Sequence, residues 1–431
     1  MGIRLGIGPE LFAKLLGWLS FLSILLLLDL GGPESTDLVH RRVMLVQQFT
    51  CAGMAALVFW SCGGLETLPY TLCLWILIHL VVGGSPGCMI VGLCLATLRP
   101  EGTAVALAAV GIAAVSQKKL LPSWVGLCGL LTLYHLARWQ YFGQLLPQAY
   151  WAKNLARASH GVPGWIYLGN FLLEAVPSTV LIGCIVALVR PRGSWVRSVT
   201  LIACVQVLPI FSVGGDWMPM HRLLVPILPL MLAVSADGLV TLYQAMGPRD
   251  AVGRFTVLIF MAFSFFQGIR IPPGEELHIE YQNRLGDLMH QAVQVLNEQE
   301  GPVGADPARR PSVAVGDIGR IGYRSGWRIL DLKGLVTPDA VRGFRLNPKN
   351  GAAFPDPGWM FEAGPEWILL AIDSDGTGVW ATDRACLRDP RLTDGYEPVA
   401  DVSIRDLPVI YRLFRAKAHV PRRKSEEIPG A

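Results

Sequence analysis

Charge is scarce in this sequence. Only 16% of its 431 residues are Asp, Glu, Lys or Arg, against 52% hydrophobic, whereas an ordinary soluble domain carries about 25% charged residues. That shortfall excludes a chain whose whole surface faces water. Cysteine is nearly missing beyond residue 270, where Cys386 alone remains of nine, so no intramolecular disulfide can staple that part. No Lys/Arg run with interleaved aromatics occurs and the net charge is a modest +4, which sets nucleic acid aside as a partner. No Ala-x-Ala-like cleavage site accompanies the first apolar run, 11–30, which therefore reads as a retained helix rather than a signal peptide. Clear internal repeats are also absent.

The apolar residues that are present crowd into one part. Nearly every long apolar run lies before about residue 268, while 270–431 mixes charge, Gly and Pro at soluble density. A hydrocarbon core about 30 Å thick takes roughly 20 apolar residues per helix, and fewer where a span ends at interfacial Trp or Tyr. Ten segments qualify: 11–30, 43–60, 68–83, 85–98, 102–117, 121–137, 165–189, 195–213, 222–243 and 252–268. The third to fifth are short and also fit re-entrant or tilted segments. The fold class expected is a polytopic α-helical membrane protein with a C-terminal extramembrane α/β domain. Its parts are a multi-span domain over 1–268, a soluble domain over 269–419, and a disordered polar tail over 420–431.

Lys and Arg divide unevenly among the connecting loops. One set, at 31–42, 84, 118–120, 190–194 and 244–251, holds Arg41, Arg42, Lys118, Lys119, Arg190, Arg192 and Arg249, with Arg197 and Arg254 opening the next spans. The positive-inside rule puts that set in the cytoplasm. The other set then faces outward together with the C-terminal domain. The location expected is the cell (inner) membrane, multi-pass, with the soluble domain extracytoplasmic, and the polar groups of the apolar half share its outer face.

The soluble part opens with an amphipathic helix around 275–296. A short apolar strand, Ser312-Val-Ala-Val-Gly, runs into Asp317-Ile-Gly-Arg-Ile-Gly-Tyr, and further strands are expected at 327–332, 367–372 and 409–414. Gly316, Gly319 and Gly322 are spaced G-x-x-G-x-x-G, which only weakly resembles the G-x-G-x-x-G of a dinucleotide loop.

Four constellations in the apolar half can carry chemistry. In Gly63-Gly-Leu-Glu-Thr67, Glu66 is a carboxylate at the membrane edge, costly there unless solvated, paired or used; it equally suits the N-terminal dipole of the next helix. In Leu98-Arg-Pro-Glu-Gly102, Pro100 breaks the helix; Arg99 can hold a phosphate through its planar fork, or simply pair with Glu101. The stretch from Arg138 to Asn154 carries Arg138 and Lys153 for a phosphate, and aromatics including Tyr141 and Tyr150 that suit sugar stacking or an interfacial belt. In Gly214-Gly-Asp-Trp-Met-Pro-Met-His-Arg222, His221 and Arg222 open a helix where an anion binds readily, and Asp216 suits a sugar hydroxyl, a cation or a cap.

Together these blocks resemble a known family, the GT-C glycosyltransferases related to the mycobacterial terminal arabinofuranosyltransferases. The matching residues are Ser61-x-Gly-Gly-Leu-Glu-Thr, Leu98-Arg-Pro-Glu-Gly, Arg138-x-x-Tyr-Phe-Gly-x-Leu-Leu-Pro-x-x-Tyr-x-Ala-Lys and Gly214-Gly-Asp-Trp-Met-Pro-x-His-Arg. In the soluble part they are Gly316-Asp-x-Gly-x-Ile-Gly-Tyr and Leu330-Asp-Leu-x-Gly-Leu. The six blocks occur in order across about 275 residues. The resemblance implies a GT-C-like fold and an inverting transferase. It would take a sugar, such as the pentofuranose arabinofuranose, from a polyprenyl-phosphate donor and place it on a cell-envelope glycan acceptor. Its partners would be the lipid-linked donor, the glycan and membrane lipids, with no organic cofactor and the question of a divalent metal open. Arg99, Lys153, His221 and Arg222 would stabilise the leaving phosphate, while a carboxylate takes the acceptor's proton. Glu66 and Asp216 are the catalytic candidates; Arg99, Glu101, Arg138, Tyr141, Tyr150, Lys153, His221 and Arg222 are the substrate-binding ones.

The chain departs from that family in one respect. Such enzymes carry an acidic motif, usually an Asp pair, in the first outer loop after an initial helix, and this sequence has no counterpart. Its start, Gly6-Ile-Gly-Pro-Glu-Leu-Phe-Ala-Lys-Leu-Leu-Gly, resembles the family's second membrane-helix region. Asp37 has no acidic neighbour and falls on the expected cytoplasmic side. Ten spans that end outside also require an N-terminus outside, so one further upstream helix with its acidic loop would restore both features. The competing classes are a catalytically silent homologue that binds a lipid-linked sugar or scaffolds envelope enzymes, and a transporter or flippase. The last requires ionisable residues inside spans; the sequence offers His79 and Glu174, which interhelical hydrogen bonding would also explain.

Overall fold

Apolar runs punctuated by Pro and Gly dictate helices of uneven length. A computed structural model of the chain describes residues 8–28, 38–152, 162–216, 218–246, 251–300, 310–346 and 353–418. They belong to two compact units: Met1–Leu145 with Val162–Glu276, and Leu146–Gly161 with Leu277–Ala431.

The first unit is helical: α1 (Pro9–Leu28), α2 (Leu38–Gly53), α3 (Ala55–Cys62), α4 (Thr67–Val82), α5 (Cys88–Leu98), α6 (Gly102–Ser116), α7 (Leu121–Phe142), α8 (Gly164–Asn170), α9 (Ser178–Val189), α10 (Ser194–Val213), α11 (Leu228–Ala245) and α12 (Ala251–Ile269). Four helices are long and apolar enough to cross a membrane, or up to six if each of two bent pairs counts as one span. The ten expected spans correspond to those four, the two bent pairs and four shorter apolar helices, Thr67–Val82, Cys88–Leu98, Gly102–Ser116 and Arg254–Ile269.

The bends correct two expected straight spans. The 43–60 run breaks at Met54, whose backbone is extended, and α2 and α3 diverge by 53°. The 165–189 run breaks before Pro177: α8 continues as a π-turn over Phe171–Ala175, Val176 is extended, and the chain bends by 113°. Proline has no N–H to donate and pushes the preceding residue out of the helical region, so the break falls there.

Close approaches hold the helices together. A Cβ on Gly238 of α11 would strike the Gly183 carbonyl of α9, so these two helices meet backbone to backbone as small residues allow. Gln117 donates from Nε2 to the Val81 carbonyl at 2.8 Å, which joins the loops after α4 and α6 at one end. The start of α4 and the α5–α6 turn meet at the other, where Glu66 approaches Arg99. Large apolar side chains such as Leu26, Leu133, Val189 and Phe266 remain on the outside, a coat that monomers in water rarely carry as a broad patch.

The second unit is built on a five-stranded sheet of order β2-β1-β5-β7-β6, from β1 (Ser312–Val315), β2 (Arg328–Asp331), β5 (Trp367–Ile372), β6 (Tyr396–Ser403) and β7 (Ile410–Ala416); β3 (Phe344–Leu346) and β4 (Ala353–Pro355) pair separately. β1 is parallel to β2 and β5, while β7 is antiparallel to β5 and β6. Alternate residues face opposite layers. Val313, Val315, Trp367, Leu369 and Tyr411 pack with Leu285, Leu288 and Leu296 of α13 (Glu275–Glu300). Ala314, Ile368, Leu370 and Phe414 pack on the other face with Met360, Cys386 and Leu392. The runs at 312–316, 327–332, 367–372 and 409–414 are the β1, β2, β5 and β7 strands. β6 carried no such signal: it is an edge strand with mostly exposed residues and an irregularity at Pro398.

Candidate functional site

At one end of the helical unit, Pro100 stops α5 and leaves Arg99 extended, so its side chain turns inward and is only 5% exposed. Nε lies 2.7 Å from Glu101 Oε1 and 3.9 Å from Glu66 Oε1. The guanidinium sits 5.2 Å from the centre of the Tyr70 ring, and Tyr70 donates its hydroxyl hydrogen to Gln206 Oε1 of α10 at 2.6 Å. Gly102 lets α6 depart at this angle, because a Cβ there would strike the Leu95 carbonyl. Arg99 Nη1 is buried without a partner among the described residues, and an unpaired buried cationic N–H is costly.

The second element is the turn after α10. Gly214 takes φ 78°, ψ −165°, a region essentially reserved for glycine. Arg222 donates from Nε to Asp216 Oδ2 at 2.9 Å, and its guanidinium lies 6.0 Å from the centre of the Trp60 ring. Met220 and His221 hold left-handed backbones, φ 56° and 50°, which cost about 1–3 kcal/mol each away from glycine. His221 Nε2 is 3.3 Å from Glu174 Oε2, and its ring stacks edge-on to Tyr167 at 5.2 Å and Phe171 at 5.8 Å. Tyr167, Phe171 and Glu174 are spaced i, i+4, i+7, so α8 and its π-turn present one face to His221.

The two elements converge on Tyr167, whose hydroxyl feels the charges of Asp216, Arg222 and Arg99. Around them Trp60 Nε1, Thr67 Oγ1 and His221 Nδ1, like Arg99 Nη1, are buried without partners among the described residues. Arg99, Arg222 and His221 lie against four carboxylates: Glu66 and Glu101 at Arg99, Asp216 at Arg222 and Glu174 at His221. Net charge therefore does not attract an anion here; directed donors would have to bind it. Among the described residues, no group of three or more His, Cys, Asp or Glu is placed to hold a metal ion.

The structure thus brings together Glu66, Arg99 and Glu101, and separately Asp216, His221 and Arg222. Arg138 turns back on its own helix: Nη1 donates to the Tyr134 hydroxyl at 3.4 Å and the guanidinium covers the Tyr134 and Phe142 rings. Tyr141 is 82% exposed. Tyr150 belongs to the second unit and stacks on Trp151; Lys153 and Asp37 lie outside the described residues. Sequence reading missed Trp60, Tyr70, Tyr167 and Gln206. Of these only Tyr167 left a signal, its helical spacing to Phe171 and Glu174. Glu174, read as a mid-span residue, sits instead at the break between α8 and α9.

The second unit holds its own polar group at the C-terminal edge of the parallel strands. Asp317, just after β1, accepts from Lys333 Nζ at 2.6 Å and from the Tyr411 hydroxyl at 2.8 Å. The Lys333 ammonium covers the Trp380 ring at 4.4 Å. Burial pushes the Asp383 carboxyl up to about 7, against the pull of Lys333. The glycine-spaced turn does not form a phosphate loop: Gly319 and Gly322 lie inside a helix, Ile318–Ser325, and the Lys333 stem lies over Gly316.

Residues 276–420 match a family described only as a domain of unknown function (DUF8728). No curated protein matches the chain.

Proposed function

We propose that the protein is a membrane glycosyltransferase of GT-C type. It moves a sugar, such as arabinofuranose, from a polyprenyl-phosphate donor to a cell-envelope glycan at the outer face of the cell membrane. The observation that carries this reading is the set of buried donors around two arginines that have no partner among the described residues, Arg99 Nη1, Trp60 Nε1 and Thr67 Oγ1. A phosphodiester has a single negative charge and several acceptor oxygens, which match directed N–H and O–H groups that lack partners. The apolar coat of the same helices suits a lipid-tailed donor.

In this reading Arg99 and Arg222 hold the phosphate and offset the charge that grows on it as the glycosidic bond breaks. Asp216 orients Arg222, and Glu101 orients Arg99. The test uses purified protein in nanodiscs, with polyprenyl phosphate as the binding probe and polyprenyl-phosphate arabinofuranose as the donor. Stabilisation by the probe together with release of polyprenyl phosphate from the donor is expected. Binding without release would favour a silent, lipid-linked-sugar-binding homologue; no binding would remove the reading.

A further inference from the structure

We infer that Arg254 and the apolar groove beside it hold an anionic membrane phospholipid, with the phosphodiester on the guanidinium and one alkyl chain in the groove. The groove runs between α9, α11 and α12, where Ile182, Leu239, Leu242, Thr256, Val257 and Phe260 line it, and its open surface is apolar throughout. The Thr256 hydroxyl donates back to the Val252 carbonyl at 2.9 Å, so it offers the groove no hydrogen. Ile182 and Phe260 are 42% and 46% exposed. The groove therefore opens outward, toward hydrocarbon once these helices sit in a bilayer.

Its polar end is fixed by chain neighbours. Tyr243 follows Leu242, and Arg254 precedes Thr256 by two residues. At the start of α9, Ser178 donates from N–H and Oγ to Gln267 Oε1, near the far end of α12, so the groove runs from there toward Tyr243 and Arg254. The Arg254 guanidinium lies 5.0 Å from the centre of the Tyr243 ring, and its Nε is buried without a partner among the described residues. A ring face attracts the cation but satisfies none of its in-plane N–H donors.

The helices that wall the groove are poor in counter-charge. α9 and α12 contain no carboxylate, and the single one on α11, Asp237, accepts from the Arg192 N–H at 3.2 Å in the loop after α9. That loop also carries Arg190, so basic residues collect at the end that the Lys/Arg asymmetry assigns to the cytoplasm. A phosphodiester brings one negative charge and several acceptor oxygens to the open fork, and its chains continue into the groove. A zwitterionic headgroup brings a second cation beside Arg254 and is disfavoured. α11 is 18 residues long, about 27 Å at the usual helical rise, and it separates this site from the turn that carries Arg222. The inference needs the membrane setting of the helices and stands apart from the transferase reading.

The test uses the full chain in neutral detergent, with phosphatidylglycerol and phosphatidylcholine as probes, and reads bound lipid by native mass spectrometry. Phosphatidylglycerol is expected to stay bound at concentrations where phosphatidylcholine does not. Arg254→Ala should weaken its binding by about 10–100-fold. Arg254→Lys keeps the charge without the fork and should lose part of it. Thr256→Trp fills the groove beside an unaltered Arg254 and should weaken binding as well. Unfolding curves of the lipid-free samples separate lost binding from lost fold. Equal retention of the two lipids by the unsubstituted chain, or undiminished phosphatidylglycerol binding in Arg254→Ala or in Thr256→Trp, overturns the inference. So does displacement of the lipid by millimolar inorganic phosphate, which marks a free-anion site, or by an equal concentration of polyprenyl phosphate, which marks a donor site. Asp250 lies outside the described residues; binding regained when Asp250→Asn is added to Arg254→Ala would assign Arg254 to that carboxylate and overturn the site.

Discussion

Arg222 closes on Asp216 at 2.9 Å across a gap of six residues, and the carboxylate it holds is almost wholly withdrawn from solvent. The pair ties the end of the turn after α10 to its beginning, and it fixes where the guanidinium lies against Trp60. Two consequences can be separated: the pair holds the turn, and Arg222 faces a ligand.

Removing one partner of a buried pair strands the other charge, which costs about 3–5 kcal/mol. Arg222→Ala should therefore lower thermal stability clearly, and Asp216→Ala combined with Arg222→Ala should regain most of it. Affinity for polyprenyl phosphate should fall by about 1.5–3 kcal/mol in both variants, because the charged hydrogen bond is gone in each. Unfolding curves and probe titrations on the same samples check this. A double variant with restored affinity would separate Arg222 from the ligand.

Arg99 keeps Glu66 and Glu101 near one another. Arg99→Ala should weaken probe binding by about 10-fold or more, the equivalent of roughly 1.5–3 kcal/mol. Adding Glu101→Gln should relieve part of the destabilisation without restoring binding. Equal probe affinity for Arg99→Ala and the unsubstituted chain would place the phosphate elsewhere.

The second unit should lose stability as pH rises from about 4 to 7. Folded, Asp383 keeps its proton up to about 7, while its ordinary value is 3.8, so the unfolded chain binds fewer protons across that window. The slope is at most about 1.4 kcal/mol per pH unit for one such group. Burial raises Asp331 as well, which acts in the same direction. Asp389 and Asp401 are held low by Arg391 and Arg412, so their contribution is lost only below that window. Hydrogen exchange of β5 amides in the full chain, corrected for intrinsic rate, should be slower at the acidic end, and Asp383→Asn should flatten the trend. An unchanged slope in Asp383→Asn would assign it to another group.

Membrane sidedness is tested by reporter fusions. The Lys/Arg asymmetry of the short loops places fusions after Lys119, Pro191 and Met246 in the cytoplasm, and those after Asn154 and within 300–420 outside. A cytoplasmic reporter within 300–420 would reverse the orientation and put the Arg99 and Arg222 groups on the wrong face for the proposed chemistry.

Much of this arrangement is legible residue by residue. Leu98-Arg-Pro-Glu-Gly reads as a helix break with a charged turn, and Arg99 indeed leaves α5 extended before Pro100 and bonds to Glu101. Gly214-Gly-Asp shows two glycines before a lone carboxylate, and the structure supplies the reason for the first, a φ of 78° at Gly214. The 165–189 run misled because hydropathy is continuous through Glu174. A missing N–H at Pro177, rather than any change in apolarity, breaks the helix there. The Gly316 spacing misled for the opposite reason: it looks like a loop, but the helix begins at Ile318 and takes two of its glycines inside.

The sequence by itself determined what local rules can reach: an apolar helical half, a sheet domain with alternating strand faces, and turns set by Pro100, Gly102 and Gly214. Those follow from backbone sterics and from periods of 3.6 and 2, which involve neighbours along the chain. Only the tertiary structure decided partners. Glu174 and His221 are 47 residues apart, and Tyr70 and Gln206 are 136 apart. Such pairs exist only because particular helices become neighbours, and shape complementarity across the whole unit chooses those neighbours. The same packing directed Arg138 back onto its own helix and delivered Glu174, rather than Asp216, to the histidine.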